Sequence, residues 1–258
     1  MAIEFKRKPG LVIYLTAGDP DLATTRDVAL AAIDEGADVL ELGVPFSDPL
    51  ADGPVIQRAS ERALAAGTRL TDVLALAAEL RALRPSAGLV IFSYFNPVLR
   101  LGLERFCDQA AQSGVDGVLV TDMIVEEAEE YLTQLHHNGL MPIFLAAPTS
   151  SDHRLKMIAN VSGGFVYAIS RVGITGAQQD LASDARRLVE RLRPFTQLPI
   201  AVGFGISTAE HVAAVGEFAD AAVIGSAIVS LIEKADPGEA PAAVAGFLHG
   251  LRQVAVQS

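Results

Sequence analysis

Eight short apolar runs recur along the chain at even spacing, each stopped by glycine, proline or a polar turn and each followed by a stretch with helical patterning. The runs cover 11–17, 39–44, 88–94, 117–122, 142–147, 165–170, 199–204 and 221–226. They are continuously hydrophobic rather than alternating, which is the mark of strands buried on both faces of a parallel sheet. Helices are predicted between them over 24–35, 57–66, 71–84, 103–113, 126–138, 152–161, 183–192 and 228–234, with a last one over 241–254 after a hinge at 236–238. Ser207-Thr208-Ala209-Glu210 reads as a capping box opening a further helix. About eight such units in 258 residues fit a single (β/α)₈ TIM barrel domain, α/β in class, spanning 1–258. A doubly wound open sheet is the alternative. The even spacing and the lack of an early G-x-G-x-x-G turn speak against it.

Half of the residues are apolar, enough for a large core, and the net charge of -11 argues against nucleic acid or an anionic membrane as partner. An anionic ligand must therefore be held by local donors. The single cysteine, Cys107, rules out a disulfide framework and points to a reducing cytoplasm. Residues 1–10 lack the apolar core of a signal peptide, and no apolar run approaches the ~20 residues of a membrane span.

In a barrel of this kind the site lies at the carboxyl ends of the strands. The second run carries a carboxylate, Glu41, on the same face as Val39 and Gly43. A carboxylate inside a strand is costly to bury, and it serves either as a paired structural group or as a site residue. The loop that follows holds three prolines and two more carboxylates, Asp48 and Asp52. Thr16, Asp19, Tyr94, Asn96, Asp122, Thr149, Ser170 and Arg171 fall at other strand ends. Gly203-Phe204-Gly205 and Gly225-Ser226 close the last two strands, where free backbone N–H groups at helix starts bind phosphate in many barrels. The loop 173–177 after the sixth strand is either a plain connection or a lid.

Other chemistries lack their residues. None of the four lysines lies at a strand's carboxyl end, so a Schiff base has no amine. The five histidines fall in or at helices, and no metal-ligand spacing is present. Cys107 reads as packing within a helix. Acid–base work by carboxylates on a phosphorylated small molecule remains.

The stretch Glu-Leu-Gly-Val-Pro-Phe-Ser-Asp-Pro-Leu-Ala-Asp-Gly-Pro at 41–54 resembles the signature of the tryptophan synthase alpha subunit family. Leu15-Thr16-Ala17-Gly18-Asp19-Pro20, Tyr94-Phe95-Asn96-Pro97, Gly173-Ile174-Thr175-Gly176, Gly203-Phe204-Gly205-Ile206-Ser207 and Gly225-Ser226-Ala227-Ile228-Val229 extend the resemblance over nearly the whole chain. It implies cleavage of indole-3-glycerol phosphate into indole and glyceraldehyde 3-phosphate, within an α₂β₂ heterotetramer. The alpha chain then needs no cofactor, and pyridoxal phosphate belongs to the beta partner. Glu41 and Asp52 match the two catalytic carboxylates. Gly176, Phe204, Gly205, Gly225 and Ser226 match the phosphate site. Tyr14, Phe92, Tyr94, Leu119, Thr121, Leu145, Tyr167 and Phe204 match the indole pocket, and Arg171, Gly173 and Thr175 a lid. Burial is expected to raise the Glu41 pKa, while Asp52, on a polar loop, is expected to stay ionised. A free-standing indole-releasing lyase and a chiefly allosteric binding subunit are the competing functions.

Two departures stand out. The resemblance implies an extra amino-terminal helix over the barrel bottom, whereas only about ten residues with little helical pattern precede the first strand here, so either a less covered bottom or a lost or rebuilt cap is expected. Met123-Ile124 also stands where the family has a proline shortly after the Asp122 position.

Overall fold

The computed structural model describes residues 3–169, 178–203, 205–236 and 238–253. Its strands are β1 Gly10–Thr16, β2 Val39–Gly43, β3 Gly88–Ser93, β4 Gly117–Val120, β5 Met141–Ile143, β6 Leu145–Ala146, β7 Val166–Ile169, β8 Ile200–Gly203 and β9 Ala221–Ile224. All are parallel to their neighbours, in the order β5-β4-β3-β2-β1-β9-β8-β7-β6. The two ends of that order are halves of one predicted strand, interrupted at Phe144, so the sheet wraps round into a nearly closed (β/α)₈ TIM barrel. The helices are α1 Leu22–Asp34, α2 Pro54–Ala65, α3 Leu70–Leu83, α4 Phe95–Leu101, α5 Leu103–Gln112, α6 Glu129–His137, α7 Asp152–Val161, α8 Gln178–Leu192, α9 Ala209–Gly216, α10 Ser226–Lys234 and α11 Ala240–Gln253.

The strand residues sort onto two faces with period two. Ile13, Leu15, Leu40, Leu42, Leu89, Ile91 and Val118 pack outward against the helices in the main core. Val12, Val39, Val90, Leu119, Ile143, Phe165, Ala201, Ala221 and Val223 pack together inside the barrel. Glu41 shares the parity of Val39 and therefore points inward.

Two local expectations are corrected and a third is resolved. Asn96-Pro97 does not simply turn the chain but lies in the first turn of α4, where Pro97 is tolerated because that N–H has no intrahelical acceptor anyway. The cap of α9 is Thr208, whose side chain accepts from the His211 N–H, so no capping box with Glu210 forms. Of the alternatives for the barrel bottom, a rebuilt cover is the one found. Ile3, 7% exposed, joins the interior cluster, and the Phe5 ring meets Phe165 edge-on at 6.0 Å. Two apolar side chains on an irregular segment make a plug without any helical periodicity to announce it.

The bottom also carries a repeated device. Asp38, Asp116 and Asp220 each stand one residue before a strand and accept a backbone N–H from the neighbouring strand, those of Leu11, Leu89 and Ile200, at 3.0, 2.9 and 2.8 Å. Asp116 is further held by Arg81 at 2.6 Å, and Asp220 by Arg193 and, at 3.9 Å, by Lys8.

Candidate active site

Glu41 lies in the middle of β2, in register with Tyr14 of β1 and Val90 of β3. Its side chain is fully buried, and neither carboxylate oxygen has a hydrogen-bond partner among the described residues. Among the described residues, then, neither a pairing cation nor a row of backbone donors answers this group. Desolvation pushes its pKa up to about 8, because ionising it would leave a charge in an apolar interior with nothing to answer it.

Asp52 ends the loop after β2, one residue before Gly53, the N-cap of α2. The loop is tied at several points. The Ala51 N–H donates to the Tyr94 hydroxyl at 2.9 Å, and that hydroxyl donates to Asp52 Oδ2 at 3.1 Å. The Phe46 ring lies 5.1 Å from the Tyr94 ring, and Gln57 Nε2 donates to the Asp52 carbonyl at 2.9 Å. The loop's tip, Leu50, is 92% exposed. The Asp52 carboxyl is not the ordinary surface acid expected from the sequence. Burial raises its pKa to about 6, against the opposing effect of the Tyr94 hydrogen bond. The expected order survives, with Glu41 the weaker acid, but the gap arises from two unequal burials rather than from one buried and one solvated group.

Two tyrosines roof this pocket. The Tyr14 ring meets Phe92 edge-on at 5.1 Å, and its hydroxyl occupies the space above Gly43, where any Cβ would come within 2.3 Å. The Tyr167 hydroxyl fills the matching slot over Gly203, 2.7 Å from where a Cβ would stand. Burial first, and then the charges of the carboxylates, push both phenols up, so they stay neutral donors. Thr121 reaches the Tyr94 hydroxyl, while Leu145 and Tyr167 stand in register on β6 and β7. Leu119 is fully covered and packs within the interior cluster, forming floor rather than wall. Gly43 and Phe46 were not singled out as site residues on the sequence. The period-two spacing of Gly43 from Glu41 was the available signal for the first.

The phosphate end is partly in view. Gly225 is the N-cap of α10, and no side chain caps that helix, so its first N–H groups are left for a ligand. Gly205 adopts φ +79, a left-handed conformation suited to glycine. Unlike Gly225, Gly205 does not lead straight into a helix, since α9 starts at Ala209 and is capped by Thr208. Gly176, Phe204, Arg171, Gly173 and Thr175 lie outside the described residues.

Other candidates are accounted for. Asp19 is 2% exposed and is clamped by Arg62 at 2.7 and 2.8 Å, which in turn reaches Glu233 at 2.8 Å. Asp122 accepts the Phe95 N–H at 2.7 Å at the start of α4. The lysines sit on the amino-terminal segment, α7 and α10, all exposed. Cys107 is buried, with its thiol pushed up to about 11. No group of side chains with metal-binding geometry occurs among the described residues.

A profile of the tryptophan synthase alpha chain family matches residues 2–251. The chain belongs to the tryptophan synthase alpha chain family. Within it, the tryptophan synthase alpha chain of Solibacter usitatus is 51% identical over 89% of this chain and 85% of its own. That of Cupriavidus pinatubonensis is 47% identical over 98% and 95%. Among solved structures, tryptophan synthase subunit alpha from Legionella pneumophila superposes with a TM-score of 0.89 at 34% identity, covering 98% of this chain and 94% of that one. A structure of the tryptophan synthase a2b2 complex from Pyrococcus furiosus gives 0.89 at 39% identity, over 95% and 98%.

Proposed function

We propose that this alpha-chain family member cleaves indole-3-glycerol phosphate to indole and glyceraldehyde 3-phosphate, with Glu41 as proton shuttle and Asp52 as the anionic partner of the indole nitrogen. The observation that carries the reading is the Glu41 carboxyl, wholly buried on the barrel's inner face with neither oxygen hydrogen-bonded among the described residues. A pKa of about 8 leaves it largely protonated at neutral pH, ready to deliver a proton to indole C3. Protonation at C3 places positive charge on the ring nitrogen, which the Asp52 carboxylate, mostly ionised above about 6, stabilises. The Glu41 carboxylate then takes the proton of the hydroxyl on the adjacent chain carbon. The C–C bond breaks, its electron pair returns to the ring, the carbon becomes the aldehyde, and Glu41 is protonated again.

The uncapped start of α10 and Gly225-Ser226, with Gly205 and the family-matched Gly176 and Phe204, hold the phosphate. Phe92, Tyr94, Thr121, Leu145 and Tyr167 surround the indole over Leu119, with Tyr14 and Phe204 shaping the pocket. Arg171, Gly173 and Thr175 serve as lid. Pyridoxal phosphate, resident in the beta partner, takes no part in this half-reaction. Assembly with a beta subunit accords with the exposed Leu50 at the tip of the loop that carries Asp52, a place where partner contact and catalysis can be coupled. No helix among the described residues is long and apolar enough to cross a membrane, and the lone cysteine suits a cytoplasmic setting.

Indole release by the purified chain, alone and with a tryptophan synthase beta subunit, tests the reading. Slow release that beta accelerates and Glu41→Gln abolishes is the expected result. Fast release indifferent to beta assigns a free-standing lyase. No release in either condition leaves a binding subunit.

A further inference from the structure

We infer that Tyr14 is a positioning residue whose phenol, backed by the Thr16 hydroxyl, donates a hydrogen bond to a chain hydroxyl of the substrate as the chain crosses from the phosphate end to Glu41. The inference rests on the proposed reaction and adds to it a contact for the part of the substrate between its two anchored ends.

Topology supplies the first argument. In the sheet order, β1 lies between β2, which carries Glu41, and β9, which ends at Gly225. A ligand with its phosphate at Gly225 and its reacting carbon at Glu41 must lay the three-carbon chain across β1. At that height β1 presents two inward groups of the same parity, Tyr14 and Thr16. Tyr14 stands beside both anchors. It is in register with Glu41, and a Cβ on Gly225 would lie 3.5 Å from the Tyr14 Cβ.

Hydrogen bonding supplies the second. Tyr14 is 5% exposed and Thr16 is 3% exposed, so both hydroxyls are buried polar groups that need partners. Thr16 Oγ1 donates to the Tyr14 oxygen at 3.4 Å. Apart from that contact, long for a bond between hydroxyls, the phenol has no partner among the described residues, although two carboxylates, Asp52 and Glu41, lie close enough to raise its pKa. A buried donor left open beside an unpartnered carboxyl is the arrangement expected where a ligand completes the network. Packing explains the ring, wedged between Phe92 and Gly43, but a phenylalanine would fill that slot as well. The hydroxyl is what packing leaves unexplained.

The test is Tyr14→Phe, which keeps the ring and removes only the donor, with Thr16→Val as a second variant that removes the backing hydroxyl. Each is assayed for cleavage of indole-3-glycerol phosphate and for binding of indole-3-propanol phosphate, the same molecule without its chain hydroxyls. The expected result for Tyr14→Phe is a loss of about 10-fold in kcat/KM with analogue affinity unchanged, since one neutral hydrogen bond is lost only where the ligand offers a hydroxyl. Thr16→Val follows in the same direction by about 3-fold. Equal weakening of substrate and analogue would make Tyr14 a packing residue and overturn the inference, as would no change in either. If wild type neither cleaves the substrate nor binds the analogue, the proposed function itself falls. If wild type cleaves and Glu41→Gln does not, only the reading of Tyr14 is at stake.

Discussion

Glu41 and the aspartates at the barrel's amino-terminal end are treated in opposite ways. At the amino-terminal end, Asp38, Asp116 and Asp220 accept N–H groups from the adjacent strands, and Asp116 and Asp220 also hold arginines. At the carboxyl end, Glu41 is deeper than any of them and has no partner among the described residues. The lower aspartates join strands, and their charge is answered in the free protein. In the proposed reaction Glu41 is kept ready for a group that arrives only with the substrate. Unanswered polarity costs stability, and a fold carries that cost where chemistry needs it.

The sharpest way to break this contrast is to exchange the groups' consequences. Glu41→Gln is expected to lower cleavage roughly 10²–10⁴-fold or more. Below about pH 4.5 its stability should stay within about 1 kcal/mol of wild type, because there one neutral, unpartnered polar head replaces another. Indole release and urea melts on the same preparation check both halves. Asp116→Ala should do the reverse. Removing the acceptor of Arg81 and of the Leu89 N–H is expected to cost roughly 3 kcal/mol of stability while leaving kcat per folded molecule unchanged. An Asp116→Ala protein of unaltered stability and impaired catalysis would dissolve the distinction between the two ends.

Titration sharpens it further. The folded protein holds the Glu41 proton more tightly than the unfolded chain does, with a pKa of about 8 against 4.5. Stability linked to this group is thus full below about 4.5 and is lost as pH rises through about 8. Urea midpoints of wild type should fall relative to Glu41→Gln across that window. In activity, kcat/KM of the free enzyme should be bell-shaped, with an acid limb near 6 from Asp52 and an alkaline limb near 8 from Glu41. The smallest effect belongs to Tyr94→Phe. Losing the hydrogen bond that favours the Asp52 carboxylate should move the acid limb upward from about 6 and cost a few-fold in rate at neutral pH. An acid limb that stays in place would show that the Tyr94 hydroxyl does not govern Asp52.

Much of the framework was legible because it is written in periods. Continuous apolar runs separated by helical stretches specify a parallel barrel, and parity within β2 sends Glu41 inward. Local reading failed where the signal was not periodic. Ile3 and Phe5 plug the barrel from an irregular segment, α4 begins around Asn96-Pro97, and Thr208 rather than Ser207 caps α9. The aspartates at 38, 116 and 220 were visible as letters, each before an apolar run. Their shared role needs the neighbouring strand beside them.

The fold class, the face that Glu41 shares with Val39 and Gly43, and the resemblance that names Asp52 are all legible in the residues, since they follow from apolar runs, from alternation along one strand and from a contiguous motif. It takes the assembled barrel to show that Glu41 has no partner among the described residues, that Asp52 is buried enough to titrate near 6, and that Tyr14 lies across Gly43 beside both carboxylates. Those facts depend on the register between strands brought together from distant parts of the chain, and on how much water that packing excludes. Neither quantity is a property of any local stretch of residues.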